Sequence, residues 1–422
     1  MNKFLKNKIL FITVATIRTL ASLCATGILI QLFLAELGFS EKQIYLHATL
    51  VQAVNVAATV FCSRYADGKR YFRRLMFPHI PLGVLYLFLL PFCFLKATPV
   101  TFVLLLAIAL VQSFFQALLA VADYKLPYFS VPVSDYGVVQ AISGVILALS
   151  TFGVGELLTY LKTLFPYQSL MTIAFPVAAG FTILSGILSL FYTALTKNEW
   201  SGVCEPNLPA EKESGEESKA PKITLMRLFR EPVFYQLIPA NFLRGFASGT
   251  TMVFATIALS LGFSTETAMR TVSLSAIANL CACFLIAVFS RYLSPRLFIL
   301  TGSLCFLLIS LFLFKNPALF LLAYTLVLFG KYVVDSAVPM LLLYAVDVRI
   351  AGPFNAWRMI LVTSGSLVAT SVAVFLPPTT LLFLSIGASL ISGVLFFSLP
   401  LLRKISPIIL HGRPHLAKPE KK

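Results

Sequence analysis

The chain has 422 residues, of which 58% are hydrophobic and only 12% charged. Soluble domains sit at about 45–50% apolar and about 25% charged, so this composition excludes a soluble enzyme and a disordered protein, and it leaves the lipid bilayer as the solvent. The net charge of +16 would point to nucleic acid in a soluble protein, but here the distribution of basic residues between loops accounts for it.

In chain order, apolar runs between charged or Pro/Gly punctuation predict twelve membrane helices. They cover 9–37, 43–63, 75–95, 99–122, 137–161, 168–196, 233–260, 267–289, 297–314, 317–343, 355–376 and 379–402. The start imitates a secretion signal, with Lys3, Lys6 and Lys8 before an apolar stretch. That stretch runs past residue 30 and carries Arg18, so an uncleaved first span is expected. The expected fold class is therefore all-α: an N-terminal six-helix bundle (1–196), a charged cytoplasmic linker (197–231), a C-terminal six-helix bundle (232–402) and a basic cytoplasmic tail (403–422). Seven cysteines without CxxC spacing read as reduced packing residues, and neither a metal site nor a cofactor is expected.

Of the 33 Lys and Arg, Lys42, Lys96, Lys162, Arg270 and Lys315 lie between spans on one side, and Arg18, Arg244 and Lys331 lie inside spans. All the others fall on the side of the termini, Arg358 being counted there in the first turn of span eleven. The bias assigns both termini to the cytoplasm, with the plasma (inner) membrane as the expected location. The two halves also repeat each other. Arg18-Thr-Leu-Ala-Ser, followed by Leu37-Gly-Phe-Ser40, is answered by Arg244-Gly-Phe-Ala-Ser, followed by Leu261-Gly-Phe-Ser264. One span further on, Ser63-Arg-Tyr is answered by Ser290-Arg-Tyr. An even number of spans separates the copies, so the repeat is parallel, a plan used by transporters whose substrate site lies between the halves.

With these features the whole chain resembles a major facilitator superfamily (MFS) transporter. The most specific local match is the loop after span two, Ser63-Arg-Tyr-Ala-Asp67-Gly-Lys69-Arg70-Tyr-Phe-Arg73-Arg74. In that family a Gly-x-x-x-Asp-Arg-x-Gly-Arg-Arg-like loop latches the cytoplasmic ends of the halves. The resemblance implies a cytoplasmic gate of Asp67, Lys69, Arg70, Arg73 and Arg74, joined by Arg291 from the second-half copy. Ser63 replaces the opening Gly, Arg70 stands where the second Gly would be, and the second copy has lost its acid. Span five holds Gly144, Gly153 and Gly155 but lacks the Gly-Pro of the family's drug/proton antiporters.

An ionised side chain deep in a span costs at least ~2.5–3.5 kcal/mol, which makes it a functional candidate. Arg18 and Arg244 occupy equivalent repeat positions on spans one and seven, near mid-depth. Their planar forks suit a carboxylate or phosphate shared between them, and such a pair resembles the organophosphate/phosphate exchangers of the superfamily. The other reading pairs each Arg within its own half. Lys331 and Asp335, at i and i+4 on span ten, read as an internally neutralised pair or as a switch. Gln112 and Gln116 mark the polar face of span four. Glu156, in the outer part of span five, is the leading protonatable carboxylate. Asp123 and Asp347 close spans four and ten, where gating and loop solvation explain them equally. Pro239 and Pro339 are expected to kink spans seven and ten, and His47 and His79 read as membrane-interface residues.

The leading expectation is a monomeric secondary transporter of a small solute, leaning to an organic anion, with protons as a candidate co-substrate. Substrate contacts are expected from Arg18, Arg244, Lys331, Gln112 and Gln116, and proton coupling from Glu156 and Asp335. Efflux of lipophilic compounds and a transporter-like receptor are the alternatives. The sequence has no HExxH motif, no intramembrane Ser/His constellation and no phosphate-binding loop, so an enzyme is not expected.

Overall fold

A computed structural model describes residues 3–25, 27–62, 71–131, 133–193, 232–289, 293–345 and 348–399. These residues are helical almost throughout and contain no strand. They form twelve apolar spans when one bent helix pair is counted as a single crossing. Span one comprises α1 (Lys3–Ala25) and α2 (Ile28–Leu37), and span two is α3 (Glu41–Phe61). Span three is built from α4 (Tyr71–Met76), α5 (His79–Leu87) and a 3₁₀ turn (Leu90–Phe94). Spans four to six are α6 (Pro99–Ser130), α7 (Val133–Leu164) and α8 (Tyr167–Ser189). In the second half, span seven is α9 (Pro232–Met252) with α10 (Phe254–Ser260), and span eight is α11 (Thr265–Phe289). Span nine is α12 (Pro295–Leu304) followed by a 3₁₀ stretch (Cys305–Phe314). Spans ten to twelve are α13 (Pro317–Ala345), α14 (Val348–Phe375) and α15 (Pro378–Ser398).

The repeated Leu-Gly-Phe-Ser sequence explains why the halves begin alike. In both copies the glycine takes a left-handed conformation (φ 97° at Gly38, 89° at Gly262) that side chains disfavour. Its N–H and that of the next phenylalanine return to the helix just ended, from Gly38 to Ala35 and Phe39 to Leu34, and from Gly262 to Leu259 and Phe263 to Ala258. Ser40 and Ser264 then cap the following helix, accepting from the N–H of Gln43 and Thr267. The intervening phenylalanines are buried against the start of the fourth span of their own half. The Phe39 ring lies 5.5 Å from that of Phe102, and Phe263 stacks 4.5 Å from Phe320.

Packing repeats in the same way. Span one contacts spans five and six, two contacts four and three contacts six; six spans later seven contacts eleven and twelve, eight contacts ten and nine contacts twelve. The halves meet through span five against span eight and span two against span eleven. At the end opposite the termini, one continuous apolar core draws residues from both halves, including Phe33, Phe92, Tyr167, Phe254, Phe312 and Tyr324. Towards the termini, the smaller clusters among the described residues belong to one half each. One surrounds Val14, Leu75 and Leu126, and the other surrounds Leu237, Val338 and Trp357. The molecule is therefore sealed at one end by a core common to both halves.

The spans are less regular than the apolar runs suggest. Span one breaks at Gly27 (φ 62°), and span seven bends by 55° between α9 and α10. The break in span seven falls at Val253, whereas Pro239, the expected kink, lies inside an uninterrupted α9. Gly27 and Val253 are 226 positions apart, the spacing of Arg18 and Arg244, so the break belongs to the repeat. Spans three and nine, predicted as single helices, both finish in 3₁₀ geometry. Span four, predicted to end at 122, continues to Ser130.

Small residues let spans seven and eleven approach closely. A Cβ placed on Gly245 would collide with the Val362 carbonyl, and one on Gly365 with the Phe242 carbonyl, whereas at Gly180 it would meet open space. Gly245→Ala and Gly365→Ala should each cost about 1–3 kcal/mol. In a thermal melt of the purified protein both should unfold earlier, while Gly180→Ala melts at or above the native temperature.

Candidate functional site

Each half carries one arginine on its first span and one aspartate on its fourth, and the fold brings them together. In the N-terminal half Arg18 Nη1 forms an ion pair with Asp123 Oδ2. In the C-terminal half Arg244 donates to Asp335 Oδ1 through Nε at 3.2 Å and through Nη2. Lys331 Nζ lies 3.4 Å from the other oxygen, Asp335 Oδ2. The i, i+4 spacing places Lys331 and Asp335 on one face of α13, and packing of span seven supplies the arginine. A single carboxylate thus serves two cations and leaves one positive charge over. Among the ion pairs of the described residues, the Arg18–Asp123 pair shows no such surplus.

The Arg244 side chain is only 11% exposed, and its Nη1 is buried with no hydrogen-bond partner among the described residues. Beside this cluster is a small cavity of about 20 Å³, lined by Arg244, Ser248, Ser303, Lys331, Asp335 and Ser392 among others. A second cavity, of about 80 Å³, lies between spans one to four, with Gln112 and Gln116 in its wall. Gln112 Nε2 donates to the Leu85 carbonyl (3.2 Å), and Gln116 Nε2 to the Tyr86 hydroxyl (3.3 Å).

The structure places the other expected residues differently. Arg18 and Arg244 are each paired within their own half instead of sharing one anion across the interface. Asp123, expected at a helix end, sits inside α6 because that helix runs two turns further than its apolar run. Glu156 is exposed on α7 and lines neither cavity. Arg73 is exposed and Arg74 half-buried on α4, while Asp67, Lys69, Arg70, Arg291 and Asp347 lie outside the described residues. His47 and His79, expected at the membrane interface, are interior. His79 is fully buried with Nδ1 2.9 Å from the Leu75 carbonyl, and His47 is 7% exposed.

Sequence reasoning missed Gln31. It is 6% exposed and ties the halves together at the sealed end. Its Nε2 donates to the Met252 carbonyl at 2.5 Å, and its Oε1 accepts from the Thr256 hydroxyl at 3.1 Å. Met252 is the last residue before the bend in span seven, so its carbonyl has lost the helical N–H partner it would otherwise have, and the glutamine of the other half replaces it. The repeat aligns Gln31 with the apolar Ile257, and that mismatch is the one signal in the sequence that marks it as an unusual polar residue.

A family model described as Major Facilitator Superfamily matches residues 10–349. The chain belongs to this superfamily. Solved structures agree on the fold. A nucleoside transporter, NupG (D323A mutant), superposes with a TM-score of 0.62 at 17% identity, covering 94% of this chain and all of that one. A bacterial homologue of the iron transporter ferroportin in its inward-facing state gives 0.65 at 13% identity, covering 93% and 97%. The outward-facing state of that homologue gives 0.61 at 14%, covering 94% and 98%. No curated protein matches this MFS chain in sequence.

The charge count yields a stability test. Asp335→Asn strands two cations in the C-terminal half and should lower the melting temperature markedly, since an uncompensated buried charge is costly. Lys331→Met leaves the Arg244–Asp335 pair intact and neutral and should melt close to the native protein. Equal losses in the two variants would show that the surplus charge is not felt.

Proposed function

We propose that this MFS chain is a monomeric secondary transporter of a small organic anion, working by alternating access in the plasma membrane with both termini cytoplasmic. The observation that carries the proposal is Asp335 shared between Arg244 and Lys331. The cluster holds one positive charge more than its own acid neutralises, in a low-dielectric setting where that charge attracts an anionic group strongly. Arginine's fork suits a carboxylate or phosphate, and Arg244 Nη1 has no hydrogen-bond partner among the described residues. The core shared by both halves at one end, with separate clusters at the other, suits one stage of an alternating-access cycle in which the substrate enters from the side of the termini.

The same cluster offers a route to proton coupling. Protonating Asp335 would weaken both of its ion pairs at once and free two cations for the substrate. Glu156, exposed on α7, is the second candidate for a coupling carboxylate. The Arg18–Asp123 pair is balanced and acts in this reading as a structural tie between spans one and four. The matched solved structures include transporters named for nucleosides and for iron, which supports transport as the activity.

The test is a melting experiment in detergent against phosphate esters, carboxylates, sugars and lipophilic cations. A ligand at 100 times its dissociation constant adds about 2.7 kcal/mol of stability. Organic anions should raise the melting temperature, and Arg244→Gln or Lys331→Gln should abolish that rise. Stabilisation by lipophilic cations, unchanged in both variants, would replace this reading with efflux of lipophilic compounds.

A further inference from the structure

The larger cavity, in the N-terminal half, has a chemistry unlike that of the charged cluster. Its walls are mostly apolar, including Ile30, Leu34, Val51 and Leu105, and no Lys, Arg, Asp or Glu among the described residues lines it. Three polar side chains enter the lining: His47, Gln112 and Gln116. Both amide nitrogens are already held by the protein, Gln112 Nε2 by the Leu85 carbonyl and Gln116 Nε2 by the Tyr86 hydroxyl. Each amide therefore presents its Oε1 as a free acceptor, fixed in direction by the bond on its nitrogen. His47 is 7% exposed and has neither a hydrogen bond nor an ion pair among the described residues. Gly27, at the break of span one, also borders the cavity, and a side chain there would meet open space.

From this arrangement we infer that the cavity is a binding site for an uncharged ring compound carrying N–H or O–H donors. Two oriented amide oxygens and an imidazole reward hydrogen-bond donors. The apolar walls reward a compact hydrophobic body. An anion would face carbonyl-type lone pairs, and a cation would lose its hydration with no opposite charge in the wall. The volume of about 80 Å³ is several times the roughly 10–15 Å³ that one water needs, so it has room for a compact solute, and a ring fits as the flexible aliphatic lining gives way. A site built around hydrogen bonds discriminates strongly against an analogue lacking the donor, because its acceptors are then left unpaired. The inference shares no residue with the Arg244–Lys331–Asp335 cluster and stands or falls apart from the organic-anion proposal.

The experiment uses the full-length protein in detergent with phenol, benzene and benzoate as probes, which differ in donor and charge around one ring. Binding is read from the melting temperature as a function of probe concentration. Ala109→Phe, which fills the cavity without removing a polar group, supplies the background from partitioning into micelles. Phenol should bind at least tenfold more tightly than benzene, and benzoate should give no shift above the Ala109→Phe background. Gln112→Met, of nearly the same volume, should bring phenol down to the level of benzene, and it carries the test if Ala109→Phe does not fold. Equal binding of phenol and benzene to the native protein, or no phenol binding above background, overturns the inference. Benzoate binding that exceeds the Ala109→Phe background and is tighter there than that of phenol also overturns it. None of these outcomes bears on whether organic anions need Arg244.

Discussion

A charged side chain placed deep in an apolar helix has to be answered by another helix, because lipid and hydrocarbon side chains offer it nothing. In this protein that constraint acts twice, at equivalent positions. Arg18 on the first span requires Asp123 on the fourth, and Arg244 on the seventh requires Asp335 on the tenth. Each pair fixes the rotation of two long helices whose other contacts are mostly apolar and tolerant of rotation. The halves then diverge on one residue. Lys331 gives the second half a cation without an acid of its own, and the resulting surplus charge is what distinguishes a candidate substrate site from a structural tie.

The rest of the architecture follows from close packing within the halves and from the core they share. Small residues on spans seven and eleven bring those backbones close together. The twin Leu-Gly-Phe-Ser turns end the first and seventh spans in the same way and place an aromatic ring against the fourth and tenth. The aromatic core at the end opposite the termini then joins the halves. Gln31 adds a polar stitch across the same seam, satisfying the carbonyl that the bend in span seven leaves exposed.

Much of this fold was legible in the sequence, since hydropathy and a parallel repeat are properties of composition and order alone. The twelve spans and the equivalence of Arg18 and Arg244 needed no coordinates, and the i, i+4 spacing of Lys331 and Asp335 sufficed to predict their contact. The breaks were not legible. Gly27 resembles many other glycines in apolar helices, and Val253 has no breaker chemistry at all, so span seven bends for tertiary reasons. Asp123 was misplaced because helix α6 extends beyond its apolar run into polar residues, which hydropathy counts as loop. Gln31 was passed over, and His47 read as a membrane-interface residue, for a related cause. Single polar residues on apolar helices carry no pattern, and only the neighbours brought by folding show whether they are satisfied.

The twin breaks at Gly27 and Val253 have a mechanical consequence. Beyond each break lies a short rod, the ten residues of Ile28–Leu37 and the seven of Phe254–Ser260, about 15 Å and 10 Å long at 1.5 Å per residue. A break separates each rod from the rest of its span, with a bend of 55° in span seven, and the two rods are stitched to each other through Gln31. The rod-to-rod bond from the Thr256 hydroxyl to Gln31 Oε1 thus lies on the far side of each break from the ion pairs of spans one and seven.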